Sequence, residues 1–180
     1  EATPNLGHEM LARWEQKGRL RGVITQNIDG LHQQAGSREV LELHGTARRI
    51  ACLSCDWGSD PDPLVRQFQQ SEEVPDCPEC GGILKHATIS FGQALPAEVL
   101  REAGRWAEQC GLMLAIGSSL VVEPAASLPR MARLNGARLV IVNRDPTPQD
   151  DAADAVIHAG IGQTLAAIDA LLESPEAPEA

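Results

Sequence analysis

Two Cys-x-x-Cys pairs place the strongest constraint on how this 180-residue chain can fold. Cys52 and Cys55 form the first pair, and Cys77 and Cys80 form the second. Two intervening residues let both thiolates of a pair point into one corner of a tetrahedron, and the spacer between the pairs is typical of four-cysteine zinc sites. The sequence therefore predicts a small module closed by a structural Zn²⁺, because four thiolates leave no open coordination position. A redox-active dithiol is the alternative interpretation of such pairs.

The net charge and the aromatic content limit the classes of molecule that this chain is expected to bind. The formal net charge is −10, from 25 acidic and 15 basic residues, which opposes binding to nucleic acid and is compatible with a cationic peptide. A zinc ribbon that binds nucleic acid is disfavoured by this acidic balance and by an aromatic content of only 3%. No run of residues is long and apolar enough to predict a membrane span. The odd number of cysteines favours metal binding in a reducing compartment, so we predict a cytoplasmic protein.

Three apolar runs that read as buried strands end in polar residues. Helical patterns separate the later runs, including one predicted from Pro124 to Leu134, and this alternation predicts an α/β fold with a parallel sheet. Because the carboxyl ends of parallel strands meet at one edge, we expect the three polar clusters at the same edge of one sheet. Their amide and hydroxyl groups suit the riboses and phosphates of a nucleotide. The clusters are Gln26-Asn27 with Asp29, Gly117-Ser118-Ser119, and Asn143-Arg144-Asp145.

Several short motifs occur in a defined order along the chain. They are Thr25-Gln26-Asn27-Ile28-Asp29-Gly30-Leu31-His32, Leu43-His44-Gly45, the two cysteine pairs, Phe91-Gly92, Gly117-Ser118-Ser119-Leu120, Val122-Glu123-Pro124-Ala125 and Asn143. Together they resemble the sirtuins, which are NAD-dependent protein deacylases, from Pro4 to about Leu172. The resemblance implies a Rossmann-like NAD-binding domain at 1–46 and 86–173, with an inserted four-cysteine zinc module at 47–85. It leaves 174–180 as a disordered tail.

The resemblance also implies a reaction and its residues. An acyl-lysine protein or peptide would be deacylated, with transfer of the acyl group to the ADP-ribose part of NAD and release of nicotinamide. His44 would be the general base for a ribose hydroxyl, since an imidazole can accept a proton at neutral pH. Asn27 and Asp29 would share in catalysis by holding the nicotinamide and its ribose. The residues expected to bind NAD are Gln26, Asn27, Asp29, Gly117, Ser118, Ser119, Asn143 and Arg144, and those expected to bind the peptide are Ser90, Phe91, Gly92, Val121 and Val122.

The chain departs from the sirtuin pattern in four places, of which the replacement of threonine by Ser118 keeps the hydroxyl group and should be mild. Gln93 stands where glutamate is usual, and His86 stands where proline is common. The glycine-rich turn that cradles the NAD phosphates, and the first strand and helix around it, have no counterpart. The chain begins with Glu1 rather than Met, so we expect an upstream segment. Without the glycine-rich turn, we expect these residues by themselves to bind NAD poorly and to turn over slowly or not at all.

Two other functions remain open at this point. One is a catalytically impaired or non-catalytic, zinc-stabilised module that binds acyl-peptide or ADP-ribose. The other is a mono-ADP-ribosyltransferase. The sequence predicts no particular oligomeric state.

Overall fold

The structure, a computed structural model, describes residues 2–174. The helices are α1 (Leu6–Gln16), α2 (Leu31–Gln34), α3 (Pro61–Ser71), α4 (Ala97–Gln109), α5 (Ser127–Leu134) and α6 (Ile161–Leu172), with a 3₁₀ turn at Asp150–Ala152. The strands are β1 (Val23–Thr25), β2 (Val40–Glu42), β3 (Gly45–Cys52), β4 (Gly58–Ser59), β5 (Leu84–Thr88), β6 (Leu112–Ile116), β7 (Arg138–Val142) and β8 (Ala155–Ile157). Apart from Ser174, the predicted tail lies outside the described residues. Within residues 2–174, no helix has the length and apolar character needed to cross a membrane.

The chain divides into two compact units. The first contains the residues up to Ile24, Leu31–Leu41 and the residues from Glu98 onward, and the second contains Thr25–Gly30 and Glu42–Ala97. These boundaries describe packing rather than ligand binding. The division into an NAD-binding domain and a zinc module therefore stays a prediction.

A parallel sheet forms the centre of the first unit, in the strand order β6-β7-β8. Ile116 lies opposite Val142, which in turn lies opposite Ile157, so the three strands end side by side. Leu139 and Ile141 of the middle strand have no exposed surface. Such a run of branched apolar residues suits a strand covered on both faces. The predicted parallel α/β arrangement is confirmed.

Helices α1 and α6 pack together in the same unit. The side chain of Asn5 caps α1 by accepting hydrogen bonds from backbone N–H groups of its first turn. Leu11 and Trp14 of α1 and Leu165 of α6 form one apolar cluster. Trp14 Nε1 donates a 2.9 Å hydrogen bond to the buried Asp169 of α6. Complete burial of Leu165 contributes about 2 kcal/mol to stability.

An antiparallel sheet with the strand order β4-β3-β5 forms the second unit. Ile50 of β3 lies between Ser59 on one side and His86 on the other, and Cys52 at the end of β3 lies opposite Leu84. Each cysteine pair stands at a chain reversal next to these strands. The chain reverses after Cys52 and returns in β4, so β3 and β4 pair antiparallel, unlike the parallel strands of the first unit.

Two sequence-based expectations are wrong. The three polar clusters do not follow strands of one sheet, because β1 pairs with β2 in a separate two-stranded sheet of the described residues. Hydrophobic patterning identifies a strand but not which strand lies alongside it. Helix α5 begins at Ser127 rather than Pro124. Pro129 has no N–H to donate to the carbonyl of Ala125, so a regular helix cannot extend back to Pro124.

Candidate functional site

The side chain of His44 is held by the loop that follows β1. Its Nδ1 lies 3.0 Å from the backbone carbonyl oxygen of Gln26, and its own carbonyl oxygen accepts a 2.8 Å hydrogen bond from the N–H of Ile89. Because a carbonyl oxygen can only accept, Nδ1 carries the proton in this contact. The neutral ring therefore has its lone pair on Nε2. The half-buried imidazole is oriented to accept a proton there.

Gly45 lets the backbone after His44 approach β5 very closely. Its φ is +69°, and a Cβ atom at this position would lie 2.1 Å from the carbonyl oxygen of Ala87. Only glycine fits a positive φ with so little space. The backbone next to His44 is thus fixed against β5.

We call the backbone of residues 26–30 the 26–30 turn. Thr25, the residue before it, accepts two hydrogen bonds that fix its start. The carbonyl oxygen of Thr25 accepts from the N–H of Leu43 at 2.9 Å, and its hydroxyl oxygen accepts from the N–H of Asn27 at 3.1 Å. The first bond joins the start of the turn to the residue before His44. The structure therefore brings the predicted residues Gln26 and Asn27 next to the His44 backbone.

The second half of the 26–30 turn is bonded to β3. The N–H of Ala47 donates to the carbonyl oxygen of Ile28 at 2.8 Å, and Arg48 Nε donates to the carbonyl oxygen of Asp29 at 2.7 Å. Gly30 ends the turn with a φ of +68°. These bonds use backbone carbonyls, so they fix the backbone that carries the predicted Asn27 and Asp29 side chains.

The four cysteine sulfur atoms form one cluster. All of them lie within 4.8 Å of one another. Cys52 and Cys80 have their sulfurs 3.5 Å apart, and Cys55 and Cys77 have theirs 3.7 Å apart. Four ligands at the Zn–S distance of about 2.3 Å in a tetrahedron are separated by roughly 3.8 Å. The predicted ligands are brought together, and both their chemistry and their spacing fit a structural Zn²⁺.

The thiols of this cluster differ in acidity. The backbone N–H of Ser54 is the main reason why the pKa of Cys52 falls to about 7. The N–H of Trp57 favours the thiolate of Cys55, but the neighbouring thiol of Cys80, burial and the other thiols together raise its pKa to about 12. Four negative charges at this distance repel one another. A divalent cation would offset that repulsion and hold all four groups as thiolates.

The loops after β6 and β7 lie next to each other in the first unit. The N–H of Gly117 donates a 2.9 Å hydrogen bond to the carbonyl oxygen of Val142, the last residue of β7. Gly117 has a φ of +61°, and a Cβ atom there would lie 2.7 Å from Ile161 Cδ1. Ser118 Oγ accepts from the N–H of Leu120 at 3.3 Å. The structure thus brings Gly117–Ser119 beside the start of the next predicted cluster.

Asn143 is tied to its own loop and to the strand beside it. Its N–H donates to the carbonyl oxygen of Ile157 at 3.2 Å, and its Nδ2 donates to the carbonyl oxygen of Asp145 at 2.8 Å. His158 Nδ1 lies 3.0 Å from the carbonyl oxygen of Asn143. Arg144 is exposed beside it. Two of the predicted polar clusters therefore share the carboxyl edge of the parallel sheet.

A family model described as the Sir2 family matches residues 1–124. The chain belongs to the Sir2 family. NAD-dependent protein deacetylase 2 of Streptomyces coelicolor is 47% identical over 169 residues, which are 93% of this chain and 70% of that protein. NAD-dependent protein deacetylase 1 of Geobacillus kaustophilus is 46% identical over 166 residues, which are 92% of this chain and 66% of that protein. The chain thus spans about two thirds of the length of these curated relatives.

Solved structures give the same family assignment for this Sir2 chain. A structure of Sir2 bound to acetylated peptide has a TM-score of 0.89 and 39% identity, covering 93% of this chain and 70% of that one. A structure of Sir2 with a p53 peptide and NAD⁺ has a TM-score of 0.88 and 40% identity, covering 93% and 69%. The Rossmann-like α/β fold predicted from the motifs is confirmed.

Gln93, one of the departures noted in the sequence, closes a tight turn in this Sir2 chain. Its Oε1 accepts a 2.7 Å hydrogen bond from the N–H of Ser90, and its N–H donates to the carbonyl oxygen of Ser90 at 3.0 Å. An amide oxygen can make the same contact as a carboxylate oxygen, so the turn keeps its closure without the negative charge. Phe91 at its tip is fully exposed, and Gly92 has a φ of +84°.

His86, another departure, completes the hydrogen bonding of a bulge. The β3–β5 register shifts between Gly45 and Ile50, which removes the residues between them from regular pairing. His86 Nδ1 lies 2.9 Å from the carbonyl oxygen of Ala47 within this stretch, where proline would offer no donor.

Sequence reasoning missed the contact from Arg48 to the 26–30 turn in this Sir2 chain. An exposed arginine in a strand resembles any solvated surface residue, and its partner is a backbone atom 19 residues away. No motif signals such a contact.

Proposed function

We propose that this Sir2-family protein is an NAD-dependent protein-lysine deacylase, which removes acetyl or related acyl groups from lysine side chains. One observation carries the proposal. His44 donates through Nδ1 to the carbonyl oxygen of Gln26, so its basic nitrogen is Nε2, and it is joined directly to the 26–30 turn. The names of the relatives, NAD-dependent protein deacetylases, support the same reaction.

His44 and the 26–30 turn have distinct roles in this proposal. Bound NAD would supply the ribose carbon that the acyl oxygen attacks as nicotinamide leaves, and the ribose hydroxyl that then takes the acyl group. His44 accepts a proton from a ribose hydroxyl at Nε2, which makes that oxygen a better nucleophile. Asn27 and Asp29 orient the nicotinamide and its ribose, and Gln26 assists them. Groups held rigidly in this way need little rearrangement during the reaction.

The parallel sheet supplies the proposed contacts to the adenosine side of NAD. Ligands of open α/β sheets bind at the carboxyl ends of the strands, where the two polar clusters of the first unit lie. Glycine after β6 keeps that loop free of a side chain that would meet Ile161. The residues proposed for this role are Gly117, Ser118, Ser119, Asn143 and Arg144.

The acyl-lysine peptide is proposed to contact two exposed segments, one around Phe91 and one at Val121 and Val122. Phe91 offers a fully exposed aromatic ring, and Val121 is 61% exposed. An exposed aromatic ring offers apolar surface on which a peptide can pack. The full set comprises Ser90, Phe91, Gly92, Val121 and Val122. Structures of Sir2 with acetylated and with propionylated peptides, at about 40% identity, support a peptide substrate for this chain.

The four-cysteine cluster is proposed to bind one structural Zn²⁺. Cys52, Cys55, Cys77 and Cys80 would be its ligands, and the ion would hold the ends of β3 and β5 together. We further propose that the protein is cytoplasmic, because thiolate ligands need a reducing compartment. In this proposal residues 1–46 and 86–173 bind NAD, and residues 47–85 form the zinc module.

Nicotinamide release from NAD in the presence of an acetyl-lysine peptide tests the proposed function. The wild-type chain and its His44→Ala variant are assayed with the acetylated peptide and with the same peptide unmodified. Release that requires both His44 and the acetyl group is the expected result. Release without the acetyl group, with label from NAD on the peptide, would instead identify an ADP-ribosyltransferase. Tight peptide binding with no release by the wild-type chain would identify a binding module. The KM for NAD in this assay tests the expectation of weak NAD binding.

A further inference from the structure

The side chain of Arg48 contacts the 26–30 turn in two ways. Its Nε donates a 2.7 Å hydrogen bond to the carbonyl oxygen of Asp29. Its aliphatic part covers Gly30, where an added Cβ atom would lie 2.9 Å from Arg48 Cγ and 3.2 Å from Nε. The turn and the arginine therefore touch through both a polar bond and an apolar surface.

The bulge in β3 explains why Arg48 points to this turn. The register with β5 is regular from Ile50 to Cys52 and shifts between Gly45 and Ile50. Bulges commonly redirect side chains next to functional sites. Ala47, which precedes Arg48, donates its N–H to the 26–30 turn at Ile28 rather than to a strand. Two consecutive residues of the bulge thus bond to two consecutive carbonyls of the turn.

We propose that Arg48 is a positioning residue for NAD binding, which fixes the Asp29 backbone so that Asn27 and Asp29 present their side chains in one orientation. This inference rests on the proposed function, because those two residues are the ones assigned to the nicotinamide and its ribose. Arg48 acts through its Nε–H donor and its stem, and it does not itself contact the substrates. Loss of the contact lets the turn sample other conformations and weakens NAD binding more than it slows the chemical step.

Two substitutions separate the hydrogen bond from the bulk of the side chain. In Arg48→Gln, the amide nitrogen is the same number of bonds from the backbone as Arg48 Nε, so the donor is kept and the charge is lost. In Arg48→Met, the length is similar and no donor remains. Arg49→Met removes a neighbouring exposed arginine from the same strand and serves as the control.

Steady-state kinetics with varied NAD give the first measurement. Arg48→Met is expected to raise the KM for NAD about two- to tenfold, the effect of losing one hydrogen bond, with a smaller change in kcat. Arg48→Gln and Arg49→Met are expected to keep the wild-type KM. A normal KM in Arg48→Met would overturn the proposal. Equal losses in Arg48→Met and Arg48→Gln would also overturn it, since they would assign the effect to charge.

Amide hydrogen exchange of Ala47, measured by NMR without NAD, gives the second measurement. Its N–H is bonded to Ile28, so its exchange rate reports how firmly the turn lies on β3. Faster exchange is expected in Arg48→Met and not in Arg48→Gln. Unchanged exchange in Arg48→Met would overturn the inference. Because this readout needs no turnover, it decides the positioning role even if the wild-type chain releases no nicotinamide and the proposed function fails.

Discussion

The imidazole Nδ1 of His44 lies 3.0 Å from the backbone carbonyl oxygen of Gln26. This contact sets the tautomer of the histidine and joins it to the turn proposed to hold the nicotinamide. A displacement of the turn would therefore also move the proposed base. A substitution that moves the 26–30 turn is therefore expected to affect both the proposed base and the proposed cofactor contacts.

Replacement of His44 by asparagine separates the base from the structural contact. Asparagine Nδ2 can take the place of Nδ1 as the donor to Gln26, but the variant has no group equivalent to Nε2. Nicotinamide release with an acetyl-lysine peptide is expected to fall by about 10²–10⁴-fold, the usual contribution of a general base. The melting temperature is expected to stay close to that of the wild-type chain. Near wild-type activity in this variant would exclude His44 as the base.

Substitution of Gly45 by alanine is expected to destabilise the second unit. The new methyl group would lie 2.1 Å from the carbonyl oxygen of Ala87, so the backbone of β3 or β5 must shift. Gly18→Ala is the matched control, because Gly18 also has a positive φ, of +71°, but has nothing within 4 Å of its Cβ position. The control is expected to cost about 1–2 kcal/mol from backbone strain alone.

The difference between the two glycine variants isolates the close approach to β5. Denaturant unfolding should give a lower free energy of unfolding for Gly45→Ala than for Gly18→Ala. Equal free energies of unfolding for the two variants would mean that β5 can shift without loss of stability.

Zinc binding is expected to require the four clustered cysteines and not the fifth. The wild-type chain should contain one equivalent of Zn²⁺ by elemental analysis, and Cys77→Ser should lose most of it. Cys110→Ser is the control, because Cys110 lies outside the cluster, where its Sγ donates to the carbonyl oxygen of Ala107 at 3.4 Å. Loss of zinc in the Cys110 variant, or its retention in Cys77→Ser, would contradict the assignment. Removal of zinc with a chelator should also loosen the sheet of β3, β4 and β5.

The carboxylate of Glu173 should make stability depend on pH. Hydrogen bonds from Lys17 at 2.7 Å and Arg19 at 2.5 Å lower the pKa of Glu173 to about 2. In the unfolded chain the pKa of a glutamate is about 4.3. The folded state therefore binds fewer protons, and the stabilisation is complete above about pH 5 and is lost as the pH falls towards 2.

Glu173→Gln gives the measurement for this pH effect. The free energy of unfolding of the wild-type chain should exceed that of the variant at neutral pH, and the difference should shrink below about pH 4. A difference that persists at pH 2 would show that packing rather than charge is responsible.

Local sequence patterns predict individual strands and helices well, but they do not predict which strands pair with each other. The apolar run Leu112–Ile116 identified β6 because its residues suit burial on both faces. The same reasoning identified Val23–Thr25 as a strand but placed it in the wrong sheet. A local rule predicts a helix start at Pro124, whereas Pro129, five residues later, determines where α5 can begin.

The sequence by itself determined the family, the four cysteines proposed as metal ligands and the chemical types of the proposed site residues, because these depend on residue identity and spacing within short segments. Four cysteines in two pairs and the His44-Gly45 motif carry that information without any fold. Only the tertiary structure decided that His44 donates to Gln26 and that Arg48 bonds to Asp29. Both contacts end on backbone carbonyl oxygens, which every residue possesses. Such a contact does not depend on the side chain of the accepting residue, so the sequence does not reveal it. The contact forms only when the fold brings distant segments side by side.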